Sequence, residues 1–487
     1  MKTTKLFFMA ALALMTAACS NSDNDILTPA EQPAKAQGIP FTATISIGES
    51  ASTRALAEDG SGGLTATWAE NDEVALIHNG IIDKVTVASV SGGVATISGT
   101  ITSDTDGASV TVIYPYDAAD GTTGNVKAGL LTAQDGTLAT IAAKYDVRKG
   151  TGTLKVSGTA SLNGNVSLTN QFAIWKLTLA NNAKNLCIMA DNITIAGATL
   201  GTEGKEFTVA VPAVSSKTVT VIANDASNNC YYFSKAGVSL DAGRYYQSSP
   251  TMTALDDDNS KPLYKITATS SVTIPDGKTV VLSGVNISSG SITCSGNANI
   301  ILLGSNSVTA TTNEKAAIKI GGSGTTLTIT GSGSLTAQGG QSAAGIGTDR
   351  NGTGGNIVIN GGTVTATGGK FGAGIGTGRA QSGSSTCGDI TINGGTVTAT
   401  GGSNGGAGIG TGLSITSSGS NTCGAITIGT GVTMVTATKG SGAPNSIGNG
   451  QADFGGTQTC GTITIGGDAT TYAAGVTTSP FTYPTAP

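Results

Sequence analysis

The sequence predicts an all-β protein in which two tandem β-sandwiches are followed by a C-terminal β-helix or closely related β-solenoid. Three observations carry this prediction. A Gly- and Thr-rich repeat fills the last third of the chain, and short strand patterns separated by turn residues fill the middle. The composition, with 73 Gly and only 11% charged and 4% aromatic residues among 487, is unusual for a globular enzyme.

The repeat predicts the solenoid. The segment NIVINGGTVTATGG at 356–369, followed by GAGIGTG at 372–378, recurs almost unchanged as DITINGGTVTATGG and GAGIGTG at 389–412. The first apolar residue of successive copies lies at positions 327, 357, 390, 426 and 463, which gives spacings of 30, 33, 36 and 37 residues. A repeat of this length indicates a solenoid with one coil per copy.

Period-two alternation within each copy indicates strands and predicts which residues face inward. Ile390, Ile392, Val397, Ala399 and Ile409 are expected to stack on their equivalents in neighbouring coils. The outward positions form a candidate binding face, flat and rich in hydroxyl and methyl groups, at Thr363, Thr365, Thr367, Thr396, Thr398 and Thr400. The alternatives are that Thr simply suits exposed strand positions, or that the array binds ice, as regular Thr arrays do in some solenoids.

The first 18 residues are expected to form a signal peptide, with Lys2 and Lys5 before an apolar run and small residues at 16–18. Cys19 follows directly, and this arrangement resembles a bacterial lipobox, although Thr16 stands where Leu is usual. The resemblance implies lipidation of Cys19 and anchoring in the outer membrane, facing outward. An ordinary secretory signal is the alternative. Residues 19–38 are polar and predicted to be a flexible tether.

The middle of the chain is predicted to hold one sandwich at 39–147 and a second at 148–255, with the break near residues 145–153. The strand predictions are at 41–45, 73–77, 109–113, 175–179, 207–211 and 218–222. The solenoid is expected over 262–466, and residues 467–487 are expected to form a cap or tail, because an open solenoid edge invites aggregation.

Several short motifs of the middle region resemble the fimbrillin family, the pilus subunits and related surface lipoproteins of Bacteroidetes. They are Thr53-Arg54, Thr67-Trp68 with Asn71-Asp72, Tyr114-Pro-Tyr116, Gln134 with Tyr145-Asp146, Phe172-Ala-Ile-Trp-Lys176 and Gly243-Arg-Tyr-Tyr246. The resemblance implies two tandem fimbrillin-like sandwiches. In fimbrillins a protease cuts after an Arg behind the first strand, so Arg54-Ala55 is a candidate processing site; a solvated loop is the alternative. The solenoid, 262–466, is similar to Gly-Ile-Gly repeat regions of secreted bacterial proteins that are often labelled carbohydrate-binding.

Catalysis is not expected. His78 is the only histidine and has no evident Ser or Cys partner, which excludes a hydrolase triad. Glycoside hydrolysis needs two carboxylates held roughly 5–10 Å apart. From Gly321 onward the acidic residues are Asp349, Asp389, Asp453 and Asp468. Asp389 could approach Asp349 from a neighbouring corner, but isolated corner charges fit the repeats better.

No cofactor, metal or nucleic-acid partner is expected. The net charge of −5 supplies no basic field for nucleic acid, and the recurring Asp of calcium-binding nonapeptide repeats is replaced by Thr or Gly. The Gly-rich motif at 372–376 superficially resembles a phosphate-binding loop, but no helix follows it, so it indicates turn and packing chemistry.

The cysteines fall into groups. Cys387, Cys423 and Cys460 share one repeat position and are predicted to stack as a ladder, most simply as packed thiols. Cys187 and Cys230 lie on two predicted strands of the second sandwich and are candidates for pairing, because an exported location permits disulfides. Cys294 has no obvious partner.

These patterns favour a non-enzymatic surface lipoprotein, fimbria-associated as a tip or accessory adhesin, whose solenoid is displayed to glycans or a host surface. Expected partners are the membrane, through the lipid anchor, and other fimbrial subunits. Two alternatives stay open: a polysaccharide-active β-helix enzyme, and a purely structural pilus or spacer component.

Overall fold

The computed structural model describes residues 38–47, 57–58, 64–65, 68–102, 104–121, 123–127, 129–191, 193–467 and 472–484. The predicted signal peptide, the lipidation site Cys19, nearly all of the tether and the processing site Arg54-Ala55 lie outside these residues. Within them, no helix combines the length and apolarity that a membrane crossing requires.

The first domain is built from eight hydrogen-bonded strands among the described residues. In chain order they are Gly38–Ile47, Glu73–His78, Ile81–Ser91, Val94–Thr102, Ser109–Tyr114, Arg148–Ser157, Thr159–Leu162 and Val166–Asn170, with a separate hairpin of Ala57–Glu58 and Leu64–Thr65. Gly38–Ile47 pairs with Val94–Thr102 on one side and with the last two strands on the other, so the sheet closes on itself.

Closure encloses an apolar core in which residues from early and late strands meet, including Phe41, Ile45, Leu154 and Leu168. The structure therefore moves the domain boundary that the sequence placed at residue 148. The three strands of 148–170 pair with the first sheet, and the second sheet begins at Phe172. The misplaced boundary has a physical cause: Gly- and Thr-rich strands at 148–161 carry little apolar signal, and they pair with strands that lie well before them in sequence, such as Ser109–Tyr114 and Gly38–Ile47.

The second domain is one bent sheet. Its strands are Phe172–Ala190, Ile193–Pro212, Val214–Asn224, Cys230–Leu240, Tyr245–Ser248 and Thr253–Ala254. The register of its two longest strands shifts at residues 178–185, and such bulges bend strands. Residues from both arms of the bend, among them Leu177 and Leu186, share one core. The result is a sandwich whose two layers belong to a single sheet.

Short helical turns at Tyr116–Ala118, Leu130–Thr132, Leu138–Thr140 and Ile141–Tyr145 connect the first domain's strands and cover the second. Gln134 fixes this cover. Its side-chain amide donates to the carbonyls of Leu131 and Ala210 and accepts from the Ala210 amide. Two motifs of the fimbrillin resemblance meet in the first core, where the Trp68 and Tyr114 rings form an edge-to-face pair at 4.9 Å.

Residues 38–487 form one compact unit, and the second domain packs on the solenoid. Cys187, Met189 and Ile222 bury one face of the sheet against outward-facing Val281, Ile301 and Leu303. Polar contacts border this patch, since Asn224 donates to the Ser283 hydroxyl at 2.8 Å and Ser332 donates to the Leu186 carbonyl at 3.1 Å. The first coils are therefore covered by the second domain.

Residues 263–467 form the predicted solenoid, with eight successive strands stacked in parallel on face one. These strands are Leu263–Ile266, Lys278–Ser283, Ala298–Leu303, Thr326–Gly331, Asn356–Thr367, Ile390–Thr400, Ile426–Ile428 and Ile463–Ile465. We number the coils 1 to 8 in this order. In coils 5 and 6 the strand runs on around a bend into face two.

Face two contains Asn286–Ile287, Ser305–Thr309, Ser334–Gln338, the second halves of Asn356–Thr367 and Ile390–Thr400, and Val432–Thr438. Face three contains Val272–Ile274, Ile292–Cys294, Ile318–Lys319, Ile346–Gly347, Ile375–Gly376, Ile409–Gly410 and Ile447–Gly448. A short corner ladder contains Ser384–Cys387, Ser420–Cys423 and Thr457–Cys460.

The coils lengthen steadily along the chain. The inward column on face one runs through Tyr264, Val280, Ile300, Ile329, Ile359, Ile392, Ile428 and Ile465, so successive spacings are 16, 20, 29, 30, 33, 36 and 37 residues. The predicted inward residues Ile390, Ile392, Val397, Ala399 and Ile409 are all fully buried. The prediction of one coil per repeat is confirmed, and the first coils prove smaller than the rest.

Repeated polar contacts connect the coils besides the strand ladders. Buried Thr348, Thr377 and Thr411 each accept a hydrogen bond from a glycine amide of the next coil, at 2.9, 2.9 and 2.7 Å. The Gly-rich motif that precedes these threonines is packing chemistry, as predicted. Gly376 has a φ of 133°, and a Cβ atom there would overlap the backbone of Gly410.

The C-terminal segment covers the end of the solenoid, as expected. Phe481–Tyr483 pairs antiparallel with Val432–Thr438, and the rings of Tyr472 and Phe481 meet edge to face at 6.0 Å. Both rings pack against the solenoid core together with Tyr483. Parallel stacking beyond coil 7 on face two is therefore blocked by a strand of the opposite direction.

Candidate functional site

The six predicted threonines come together on face two. Strand register places Thr363 beside Thr396, Thr365 beside Thr398, and Thr367 beside Thr400. Neighbouring parallel strands lie about 4.8 Å apart, and alternate residues along a strand lie roughly 6.6 Å apart. The hydroxyl and methyl groups therefore form a regular grid, with each side chain partly or fully exposed.

The grid extends over further coils with similar chemistry. Its central column continues through Thr336 and Thr436, and a flanking column through Gln338 and Thr438. The other flank ends in Met434, whose side chain is 38% exposed. We call these outward columns of coils 4 to 7 on face two the Thr face. No charged residue belongs to it, and the strand Phe481–Tyr483 lies at its C-terminal edge.

The two carboxylates considered for hydrolysis have separate structural partners. Asp349 accepts the Ala316 amide at 2.9 Å and pairs with Lys315 at 2.9 Å and Lys319 at 3.1 Å. Asp389 accepts the Ala425 amide of the next coil at 2.8 Å. Among the residues that the structure describes, no three His, Cys, Asp or Glu side chains are grouped as metal ligands would be.

His78 has a structural environment in the first domain. Its Nδ1 lies 2.8 Å from Asp104 and its Nε2 lies 2.8 Å from Asp83, and the imidazole is buried. Asp83 also accepts the backbone amide and the hydroxyl of Thr102. The hydrogen bond from His78, together with the Thr105 amide, lowers the pKa of Asp104 below its usual value. The ring thus connects two strands and a loop.

The predicted cysteine ladder exists. Cys387 pairs in register with Cys423, and Cys423 with Cys460, along the corner strands. Both neighbouring thiols and burial raise the pKa of Cys423 well above its usual value. All six described cysteines are free thiols. Cys187 and Cys230 do not pair, because Val214–Asn224 lies between their strands.

One group of side chains was not anticipated from the sequence. Lys370, Phe371 and Arg379 of coil 5 lie beside Arg350 of coil 4, and the Arg379 guanidinium carbon is 4.5 Å from the centre of the Phe371 ring. The sequence contains a signal for it. Arg350 and Arg379 are each the second residue after a Gly-Ile-Gly-Thr segment, whereas coil 6 has Leu413 there. We call these four residues the cationic corner.

Comparison with known proteins identifies the repeat. A family model described as "Beta helix repeat" matches residues 327–350, 357–379 and 390–413. The solenoid is a β-helix. The matched segments contain the whole cationic corner and, at 363–367 and 396–400, the predicted threonines. No curated protein matches the chain significantly.

Solved structures with some similarity include three from Bacteroides. A fimbrial protein from Bacteroides ovatus has 15% identity and a TM-score of 0.23, over 44% of this chain and 48% of its own. A proposed cell adhesion protein from Bacteroides fragilis has 11% identity and a TM-score of 0.26, over 45% and 97%. Another from Bacteroides eggerthii has 11% identity and a TM-score of 0.24, over 44% and 85%. The chain spans about half the length of the first of these.

Proposed function

We propose that this protein is a non-enzymatic adhesin of the bacterial surface, and that its β-helix displays the Thr face to glycans. One observation carries the proposal: in four successive coils, the outward positions of three adjacent columns are neutral polar residues, with Met434 as the one apolar exception, held at fixed spacing by the backbone. Such a grid offers hydroxyl donors and acceptors beside methyl groups, which matches the mixed polar and apolar surface of a sugar chain.

The β-helix core supports a rigid surface. Val364, Ala366, Val397 and Ala399 directly beneath the threonines are fully buried, so the strands that carry the Thr face are held from below. A site on rigid strands binds with little ordering cost, which compensates for the weakness of single hydroxyl contacts. Thr also suits exposed strand positions without any ligand, and glycan binding by matched variants separates the two explanations.

The absence of catalysis is part of the proposal. Asp349 is neutralised by two lysines, Asp389 bonds a backbone amide, and His78 is buried between two carboxylates. None of these groups is left to transfer a proton to a substrate. A polysaccharide-active enzyme would need another pair of close carboxylates on an accessible surface of the β-helix.

Lipid anchoring at Cys19 and display on the outer membrane complete the proposed setting. The support is the sequence at residues 1–19, where an apolar run and small residues precede the cysteine. The two sheet domains would then hold the β-helix away from the membrane. Metabolic labelling with a fatty-acid analogue, lost in Cys19→Ala, is the direct test of the anchor.

The glycan proposal is tested with the full chain on a glycan and mucin array. The double variant T365K/T398K places two ammonium groups in the central column of the Thr face. Its matched control, T391K/T427K, makes the same change on face one, where both threonines also point outward. We expect saturable binding by the wild type and the control, and loss of neutral-glycan binding by T365K/T398K. Equal binding by all three proteins would contradict the Thr face as the site.

Assembly into a fimbrium is a second candidate function, favoured by the position of the first strand. Gly38–Ile47 pairs on both edges within the closed sheet and buries Phe41 and Ile45 completely. Cleavage at Arg54-Ala55 would separate this strand from the rest of the chain and leave a groove of its shape. A strand from another subunit would fit there by the same pairing.

Limited digestion with an Arg-specific protease tests the second candidate. We expect a cut after Arg54 in the wild type but not in Arg54→Gln, followed by concentration-dependent polymers on size-exclusion chromatography. A chain that stays uncut at Arg54, or a cut chain that stays monomeric, would leave the protein as a stand-alone adhesin.

A further inference from the structure

In coil 5, the residues of the cationic corner lie on either side of the face-three strand Ile375–Gly376. Lys370 and Phe371 follow the strand Asn356–Thr367, and Arg379 follows Ile375–Gly376 in the same coil. The Phe371 amide donates to the Gln341 carbonyl of coil 4, and the Arg379 amide to the Ser342 carbonyl. Backbone hydrogen bonds between coils thus fix the points from which the side chains extend.

Arg379 is held in place but not neutralised. Its guanidinium lies over the half-exposed Phe371 ring, and Lys370 places its ammonium 5.2 Å from the same ring. The Nε atom of Arg379 is buried and has no hydrogen-bond partner. Within the described ranges, no carboxylate lies within ion-pair distance of Arg379 or Lys370. The positive charge of Arg379 is therefore not neutralised by a described carboxylate, and a bound anion would compensate it.

The charge around the corner is unbalanced. Arg350 pairs with Glu314 at 2.8 Å, and Asp349 is shared by Lys315 and Lys319. The surrounding group therefore contains two carboxylates and five cations, Lys315, Lys319, Arg350, Lys370 and Arg379, which is a net +3. The whole chain has a net charge of −5, so this concentration of positive charge is local and opposite in sign to the rest of the protein.

The surroundings of the cationic corner disfavour the charged form of Arg379. Burial, and secondly repulsion from Arg350, lower the pKa of Arg379 from its usual value. Both causes penalise the cationic form, and an anion placed between the two guanidinium groups would oppose both. Arginine is also the side chain best suited to such an anion, because its planar fork donates two parallel hydrogen bonds to sulfate or carboxylate oxygens.

We propose that the cationic corner binds the sulfate or carboxylate group of an acidic saccharide. The anionic group would lie against Arg379 and Arg350, with the C–H edges of its sugar ring beside Phe371. This deepens the proposed adhesin function by naming the class of ligand, and it uses a surface separate from the central columns of the Thr face. Stacking of Arg379 on the ring without any ligand is the alternative.

The test uses the full chain and two defined polymers, dextran sulfate and polygalacturonate, with unmodified dextran as the neutral reference. Isothermal titration calorimetry at low and at 0.5 M salt measures affinity. Comparison of the two acidic polymers distinguishes sulfate from carboxylate as the anion that is bound. We expect binding of at least one acidic polymer, none of dextran, and a loss of affinity at high salt because exposed charges are screened.

Four variants locate the site. Arg379→Gln should lower the affinity for the acidic polymer at least about tenfold, and Phe371→Ala should lower it less. Their matched controls are Lys439→Gln and Phe454→Ala. Lys439 lies in a later coil and donates to the Pro444 carbonyl, and Phe454 is 86% exposed. Controls that bind like the wild type, with unchanged melting temperatures for all four variants, support the assignment.

Two results would overturn the proposal: no binding of either acidic polymer, or Arg379→Gln binding as well as Lys439→Gln. The T365K/T398K variant separates this proposal from the one on which it rests. If that variant still binds the acidic polymer while array binding by the wild type is absent, the Thr face fails and the cationic corner stands. If Arg379→Gln still binds glycans on the array and no protein binds the acidic polymers, the cationic corner fails as a site and the Thr face stands.

Discussion

The β-helix and the first domain solve the same problem, burying apolar strands, in opposite ways. Each coil of the β-helix repeats its neighbour, so that columns such as Ile375, Ile409 and Ile447 stack like on like. The first domain has no repetition, and its strands are closed by pairing between residues such as Phe41 and Ala160 that lie far apart in sequence. Its buried polar contacts do not repeat either, since His78, the only histidine of the chain, is hydrogen-bonded to two carboxylates there.

The difference concerns cooperativity as well as geometry. A coil contacts mainly the coils before and after it, so a destabilising substitution is expected to loosen only the neighbouring coils. A closed sheet exposes its whole core when one strand unpairs, so a destabilising substitution is expected to weaken the entire domain.

Gly376→Ala should produce the largest loss. The added Cβ would overlap the Gly410 backbone, and the φ of 133° is unfavourable for alanine, so we expect destabilisation of roughly 3 kcal/mol or more. Hydrogen exchange should rise in coils 4 to 6 and stay unchanged in the first domain. Gly322→Ala is the control, since a Cβ there meets nothing within 4 Å. Equal loss of protection from exchange in the β-helix and in the first domain would contradict a local effect of the substitution.

Asp104→Asn should destabilise the first domain by about 1–3 kcal/mol at neutral pH, because a charged hydrogen bond to buried His78 is lost. The pKa of Asp104 is lowered in the fold. Its contribution is therefore complete above the unfolded pKa, about 3.9, and is lost as pH falls through the folded value.

The measurement for Asp104 is thermal unfolding of the first domain between pH 7 and pH 2. The wild type should lose stability on acidification below about pH 4, and Asp104→Asn should lose less. The control Asp117→Asn changes an exposed carboxylate and should follow the wild type. An identical acid response in Asp104→Asn would show that the His78 network does not contribute.

Ile409→Val should cost about 1 kcal/mol, the usual effect of removing one buried methylene. Ile409 lies in the middle of the face-three column and is fully buried. Exchange should increase at Ile375 and Ile447, the stacked neighbours, and much less at Ile318 three coils away. A loss spread evenly along the β-helix would indicate that the coils unfold as one unit.

The thiols of the corner ladder should react slowly in the folded chain. Hydrogen bonds with the neighbouring Cys387 and Cys460 thiols, and then burial, raise the pKa of Cys423, and alkylation requires the thiolate. The rate at Cys423 should therefore keep increasing above pH 9 and should become fast on unfolding. Peptide mass spectrometry after timed iodoacetamide treatment measures it, with Cys460, which is less buried, as the internal comparison. Fast labelling of Cys423 at pH 7 would contradict the packed ladder.

The contrast also explains what the sequence could predict. Five copies of one pattern report the same inward and outward positions, so Ile392, Val397 and the six threonines were assigned correctly to core and surface. The boundary at residue 148 was wrong, because the strand Arg148–Ser157 has a weak pattern and its partner Ser109–Tyr114 is distant.

The cationic corner could not be predicted for a related reason. Arg350 and Arg379 share one repeat position, but only two coils have arginine there, so each looked like an isolated corner charge. Only coil stacking brings Arg350, 29 residues before Arg379 in sequence, to its side. The pairing of His78 with Asp83 and Asp104 was hidden in the same way, since those carboxylates lie on another strand and a loop.

The most direct test of the account is a glycan array with three full-length proteins side by side: the wild type, T365K/T398K and Arg379→Gln. We expect saturable binding by the wild type, loss of binding to neutral glycans in T365K/T398K, and loss of binding to sulfated or carboxylated glycans in Arg379→Gln. Identical patterns for all three proteins, or no binding by any, would contradict the claim that the β-helix is the ligand-binding part of this molecule.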